Sequence, residues 1–179
     1  MEFRSPYSHG FVRCAVCTPA CEVADPEFNA KAIFELSRQG HDHHVALMVF
    51  PELCLPGYAI DDLLGQNILL DAVEASIGAV LTASADLDPV LLIRAPLPRE
   101  GRLFNCALAV HGGKILGVVP KAHLPNYREF YEKRWFASGR IIRDAEITVA
   151  GRSRITGRIG KNERMTGAQD CNELFPKQF

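Results

Sequence analysis

What this sequence lacks narrows its class before any motif is read. It lacks an excess of charge of either sign: the formal net charge is −1, so nothing global draws it to nucleic acid or to an anionic lipid surface. It lacks an apolar run long enough to cross a bilayer. Its opening residues, MEFRSPYSHGF, lack the apolar core of an export signal. Without export, the six cysteines are expected to stay reduced and the chain to be cytoplasmic. No internal repeat is found. What is present is globular: 179 residues, 47% apolar and 23% charged, enough for one domain with a real core.

The pattern along the chain is that of an α/β protein. FVRCAV (11–16) reads as a first strand, with Cys14 buried and free. Asp25 followed by Pro26 is a helix start, and Phe28, Ala32, Ile33 and Leu36 keep helical spacing up to a stop at Arg38 and Gly40. VALMVF (45–50) is a short continuous apolar run of the buried-strand type. Leu70, Val73, Ile77, Val80 and Leu81 fit one face of a second helix. PVLLIRAP (89–96) reads as a third strand, and LFNCALAV, His111-Gly112-Gly113 and KILGVVP as a hairpin (103–120). The order β-α-β-α-β-β-β predicts a sheet carrying helices.

Two units have the same form. MVFP runs into Glu52, and GVVP runs into Lys121: apolar strand, proline, lone charge. If the two strands are parallel neighbours, the charges meet at one sheet edge, about 3–6 Å apart. A glutamate there can accept a proton while an ammonium stabilises a developing oxyanion. For Glu52 alone, a solvated loop residue is the plainer reading. Cys14, Cys17 and Cys21, with His41, His43 and His44, suggest zinc by composition. However, positions 14 and 17 of a strand face opposite sides, so no metal is expected. Cys54 and Cys106 read as small buried apolar residues. LPNYREFYEKRWF (124–136), dense in aromatics and charge, reads first as a helix whose aromatic face is core, while its place directly after Lys121 also suits it to wall a small polar pocket.

VFPELCLPGYAIDDLL and PKAHLPNYREFYEKRWF resemble the first two signature blocks of the nitrilase, or carbon-nitrogen hydrolase, superfamily. YSHGFVRCAVCTPACEVADPEFNA, GYAIDDLL and NYREFYE are most similar to the N-terminal glutaminase domain of its glutamine-dependent NAD+ synthetase branch. The resemblance covers residues 7 to 138. It implies an α-β-β-α sandwich, present here only in its N-terminal part, and a Glu-Lys-Cys triad. It gives Glu52 as general base, Lys121 as the lysine that stabilises the tetrahedral intermediate, and Glu129 as a second glutamate near that lysine. Tyr58 and Tyr127 match residues beside the glutamine pocket. It further implies that ammonia from glutamine feeds ATP-dependent amidation of deamido-NAD+, with ATP and Mg2+ belonging to a separate synthetase domain.

The resemblance stops short of the nucleophile. The triad cysteine is expected at the end of another apolar strand after Lys121. The one cysteine beyond Lys121 is Cys171, in AQDCNELFP, whose approach is a poor buried strand. No ATP-binding signature is found in the chain. From Arg140 onward, 8 Lys+Arg stand against 5 Asp+Glu, so about +3, and no apolar period is visible. Residues 140–179 therefore read as a divergent, solvated and poorly ordered tail. The expectation is an N-terminal portion (1–139) of a glutaminase domain, inactive alone. The alternatives are a stand-alone nitrilase-like amidase and a non-catalytic fragment acting through association. The oligomeric state is left open, a homo-oligomer included.

Overall fold

The structure, a computed structural model, describes residues 5–142, 145–151 and 153–157, with side chains described for 5–142 and 147–151. The segment before Arg13 belongs to a separate unit, and in it a 3-10 turn, Pro6–His9, closes on Gly10. Everything that follows concerns the unit beginning at Arg13.

Its centre is a five-stranded sheet in simple order: β1 (Cys14–Val16), β2 (Leu47–Val49), β3 (Val90–Arg99), β4 (Arg102–His111) and β5 (Lys114–Pro120). β1, β2 and β3 are parallel, while β4 and β5 return as antiparallel hairpins. Two crossover helices, α1 (Pro26–Asp42) and α2 (Asn67–Ala83), supply the parallel connections. Both feed one core with Met48, Leu91, Ile93, Ala95, Leu108 and Val110, to which they contribute Ile33, Val73, Ile77 and Leu81. Both helices thus cover the same face of the sheet. The register places Val16, Arg94, Asn105 and Val119 on the other face, where Val16 is 87% and Val119 62% exposed.

The predicted element order is found, with local corrections. Asp25 caps α1 by accepting from the Phe28 N–H at 3.0 Å, worth about 1 kcal/mol. Gly40 is not a stop signal, because α1 runs on to Asp42. It is a close-packing residue: a Cβ there would run into Met48 Sδ. The buried stripe of α1 is Asn29, Ala30, Ile33, Ser37 and Gly40, while Phe28 is exposed. Short β1 lies at the sheet edge, so Cys14 is free but exposed rather than buried. The Gly112–Gly113 turn takes positive φ at both residues (54° and 71°), as a two-residue hairpin requires.

β2 and β5 are parallel to each other but are not neighbours. β3 and β4 lie between them, joined by a turn at Glu100–Gly101. Beyond residue 140, β6 (Ala145–Val149) and β7 (Ser153–Gly157) pair antiparallel, and the turn after β6 hangs from α2 by the Ala150 N–H on Glu74 (3.0 Å). Period-based reading did not find this pair. Residues 158–179 lie outside the described residues.

Gly139 is the tightest backbone contact near the end of β5. Its N–H donates to the Lys121 carbonyl at 2.9 Å, and a Cβ would lie 2.6 Å from the Pro120 carbonyl oxygen. Main chain cannot move aside as a flexible side chain does. Gly139→Ala is therefore expected to cost about 1–3 kcal/mol, read by urea unfolding. A change under about 0.5 kcal/mol would show that the contact relaxes freely.

Candidate active site

Each of the two charges sits where its strand stops pairing. β2 makes one more ladder bond, Phe50 N–H to the Leu92 carbonyl at 3.0 Å. Pro51 then offers no donor. After Glu52 the chain turns through Leu53 at φ 50°, a left-handed conformation that a buried side chain holds in place. The turn is stapled to β3, where the Arg94 N–H meets Cys54 Sγ at 3.3 Å and the Leu55 N–H meets the Arg94 carbonyl at 3.4 Å. Asn29, fully buried on α1, donates to the Leu55 carbonyl at 2.7 Å. On the other side β5 ends at Pro120, and the Lys121 N–H donates to the Asn105 carbonyl at 2.7 Å.

The side chains then converge over the two intervening strands. Lys121 Nζ lies 2.5 Å from Glu52 Oε1 and 2.8 Å from Glu132 Oε1. Asn105 Nδ2, from β4, donates to Glu52 Oε1 at 2.7 Å, and Arg94 Nη2, from β3, reaches the same oxygen at 3.4 Å. The Tyr58 hydroxyl donates to Glu132 Oε1 at 3.2 Å. Two cations thus face two carboxylates, and Glu132, with 4% of its side chain exposed, is the most deeply buried charge.

Burial pushes the Glu52 carboxyl up. The hydrogen bonds from Lys121 and Asn105 and the charges of Lys121 and Arg94 outweigh it, and the net pKa lies below the ordinary carboxylate value. Tyr58 is pushed up to about 12, by desolvation first and then by the negative charge of Glu132. Burial raises the Cys54 thiol to about 11 and the Cys106 thiol to about 12, so both stay protonated at neutral pH.

The glutamate beside Lys121 is Glu132, not Glu129. The chain after Lys121 is not one long helix. It loops through Arg128 at φ 53° and re-enters a helix only at α3 (Glu132–Trp135), whose first N–H is taken by the Pro125 carbonyl at 3.2 Å. This path leaves Glu129 exposed and turns Glu132 inward. Tyr127 is 64% exposed and makes an edge contact with Phe130, with ring centroids 5.9 Å apart. Phe136 packs with Leu53, Ile60, Leu64 and Leu69 in a second apolar cluster, and Trp135 and Arg134 both bond to Asp62 at 3.1 Å. The loop after Glu52 and the loop after Lys121 are thereby fastened to one another. A cavity of about 430 Å³ is walled by the residues after Lys121 and by α3; it is lined by neither Glu52 nor Glu132.

Asn105, Arg94 and Glu132 were missed by motif reading. A signal existed for the first two: each is a polar residue inside an otherwise apolar strand. Cys171 lies outside the described residues. Among the described residues, no three His, Cys, Asp or Glu side chains converge as metal ligands, and no helix is long and apolar enough to cross a membrane.

A mixed α/β sheet thus carries a carboxylate–lysine–carboxylate cluster in the segments that follow β2 and β5. A sequence profile of carbon-nitrogen hydrolases matches residues 13–175, and the chain belongs to that family. It is 52% identical over 139 residues to the glutamine-dependent NAD+ synthetase of Mycobacterium leprae, covering 78% of this chain and 20% of that protein. The crystal structure of a glutamine-dependent NAD+ synthetase from Cytophaga hutchinsonii superposes with a TM-score of 0.70 at 23% identity, over 76% of this chain and 23% of that one. An amidase from Nesterenkonia sp. superposes with a TM-score of 0.64 at 20% identity, over 78% and 52%. The fold is therefore that of the nitrilase superfamily, and the chain spans about a fifth of the length of the synthetases it matches.

Lys121→Met leaves Glu132 and Glu52 without their shared cation. It is expected to cost about 3–5 kcal/mol at neutral pH in urea unfolding. Glu52 should also carry a pH signature. Its folded pKa lies below the unfolded value of about 4.3, so its contribution is present above that value and lost as pH falls through the folded pKa. Glu52→Gln should accordingly be less stable than the parent at neutral pH, with the gap closing on acidification. A gap that stays constant with pH would contradict the ion pair.

Proposed function

We propose that this chain carries the base-and-lysine part of a glutamine amide hydrolase. The single observation that carries the reading is the Lys121 ammonium within hydrogen-bond distance of both Glu52 and Glu132. The 52% identity to synthetases named as glutamine-dependent supports glutamine as the amide.

In this reading Glu52 takes the proton from a cysteine thiol as its sulfur bonds to the amide carbon. The amide oxygen gains the negative charge, and Lys121 turns towards it. That movement removes a donor from Glu52 and raises its basicity when the proton must be held. As the tetrahedral intermediate collapses, the C–N bond breaks and Glu52 returns the proton to the leaving nitrogen, releasing ammonia and leaving a thioester. Water activated by Glu52 then hydrolyses the thioester to glutamate and free thiol. Glu132 Oε2, buried and without a hydrogen-bond partner among the described residues, is an acceptor suited to the amide N–H. Tyr58 fixes Glu132 through Oε1. The ammonia would serve ATP-dependent amidation of deamido-NAD+, with ATP and Mg2+ acting outside these residues.

The two raised thiols, Cys54 and Cys106, are poor nucleophiles, and Cys54 is already bonded to the β3 backbone. The isolated chain is therefore expected to bind glutamine but to hydrolyse it negligibly, since a misplacement of about 1 Å already costs on the order of a hundredfold. Glutamine titrated into the isotope-labelled chain should perturb the Tyr58 and Lys121 signals, and no perturbation at millimolar glutamine would overturn the reading. Glutamate release is measured beside a Cys171→Ala variant. Ready turnover in the parent and none in the variant would make Cys171 the nucleophile and overturn the expected inactivity.

A further inference from the structure

The Glu52 carboxylate is held by one oxygen only. Lys121, Asn105 and Arg94 all donate to Oε1, and Oε2 receives no hydrogen bond from the described residues. The three donors are not equivalent. Lys121 is shared with Glu132, and in the proposed reaction it is drawn towards the substrate oxygen. Arg94 reaches Oε1 only at 3.4 Å. Asn105 is neutral, has a short side chain, is 0% exposed, and sits mid-strand between β3 and β5. Its backbone is paired opposite Pro96, and its carbonyl accepts the Lys121 N–H at 2.7 Å. One residue thus sets the position of Glu52 through its side chain and of Lys121 through its main chain.

The position also makes little sense as packing. Asn105 interrupts an apolar strand, and its Oδ1 is buried without a partner among the described residues. An apolar side chain would fill the place without stranding an acceptor. An ionised carboxylate can only accept, so the amide must turn its nitrogen to Glu52 and leave its oxygen unpaired. We propose that Asn105 is the positioning residue of this site, fixing Glu52 by Oε1 so that Oε2 is the oxygen that takes and returns the proton; the proton-transfer clause rests on the hydrolase reading above. An amide neither gains nor loses a proton near neutral pH, so this contact persists when Lys121 leaves.

The charged and titratable groups facing Glu52 are Arg94 from β3, Lys121 after β5 and, across Lys121, Glu132 and Tyr58. The experiment follows the Glu52 carboxyl carbon and the Asn105 side-chain amide by NMR through an acid titration of the 179-residue chain. In the parent, the Asn105 amide signal should shift with the same midpoint as the Glu52 carboxyl. In Asn105→Leu, which fills the space without a donor, the Glu52 midpoint should move up. An amide signal that stays flat through the Glu52 titration, or a Glu52 midpoint unmoved in a folded Asn105→Leu, would overturn the proposal. The parent measurement decides the matter if that variant does not fold. Neither readout uses glutamine, so a failed glutaminase assay and a failed positioning test remain separate results.

Discussion

One ammonium between two carboxylates organises this protein's polar centre. Glu132 is nearly dry, and a carboxylate taken out of water is costly unless a cation meets it. Lys121 meets it, and the same nitrogen holds Glu52. Arg94 supplies the second positive charge, so the cluster is balanced as well as paired. Such a cluster is sensitive to removal of any one member, because each loss strands a buried charge of opposite sign.

The fold serves this cluster by fixing main chain rather than side chains. Glu52 and Lys121 follow strands separated by two others, and they meet because each strand runs into a proline after which the chain turns over the sheet. Asn29 and Cys54 fasten the first turn to α1 and β3, while Gly139 and the Asn105 carbonyl fasten the second. The apolar cluster of Leu53, Ile60, Leu64, Leu69 and Phe136 then joins the two loops. Charged groups on loops over a rigid sheet are a common arrangement in α/β proteins.

The cluster also shows how buried polar groups are used. Arg94 Nε, Asn105 Oδ1 and Glu132 Oε2 are all buried without partners among the described residues. Unpaired buried polar atoms are rare in proteins, and three of them lie in this one cluster. The face of the sheet that carries these groups also exposes Val16 and Val119. The opposite face, under α1 and α2, holds the apolar core.

The strand–proline–charge units around Glu52 and Lys121 were legible in the sequence, because each combines a buried apolar run with a residue that must end it. The helix start at Asp25-Pro26 and the Gly112-Gly113 hairpin were legible for the same reason: the chemistry that sets them is local. Glu132 was not legible. Glu129 and Glu132 lie three residues apart in one segment, and only the loop through Arg128 decides which one turns inward. The roles of Asn105 and Gly139 likewise depend on strands far apart in sequence. Local sequence determined where each charge leaves the sheet; tertiary structure decided which charges meet, because burial and pairing depend on residues as far as 74 positions apart.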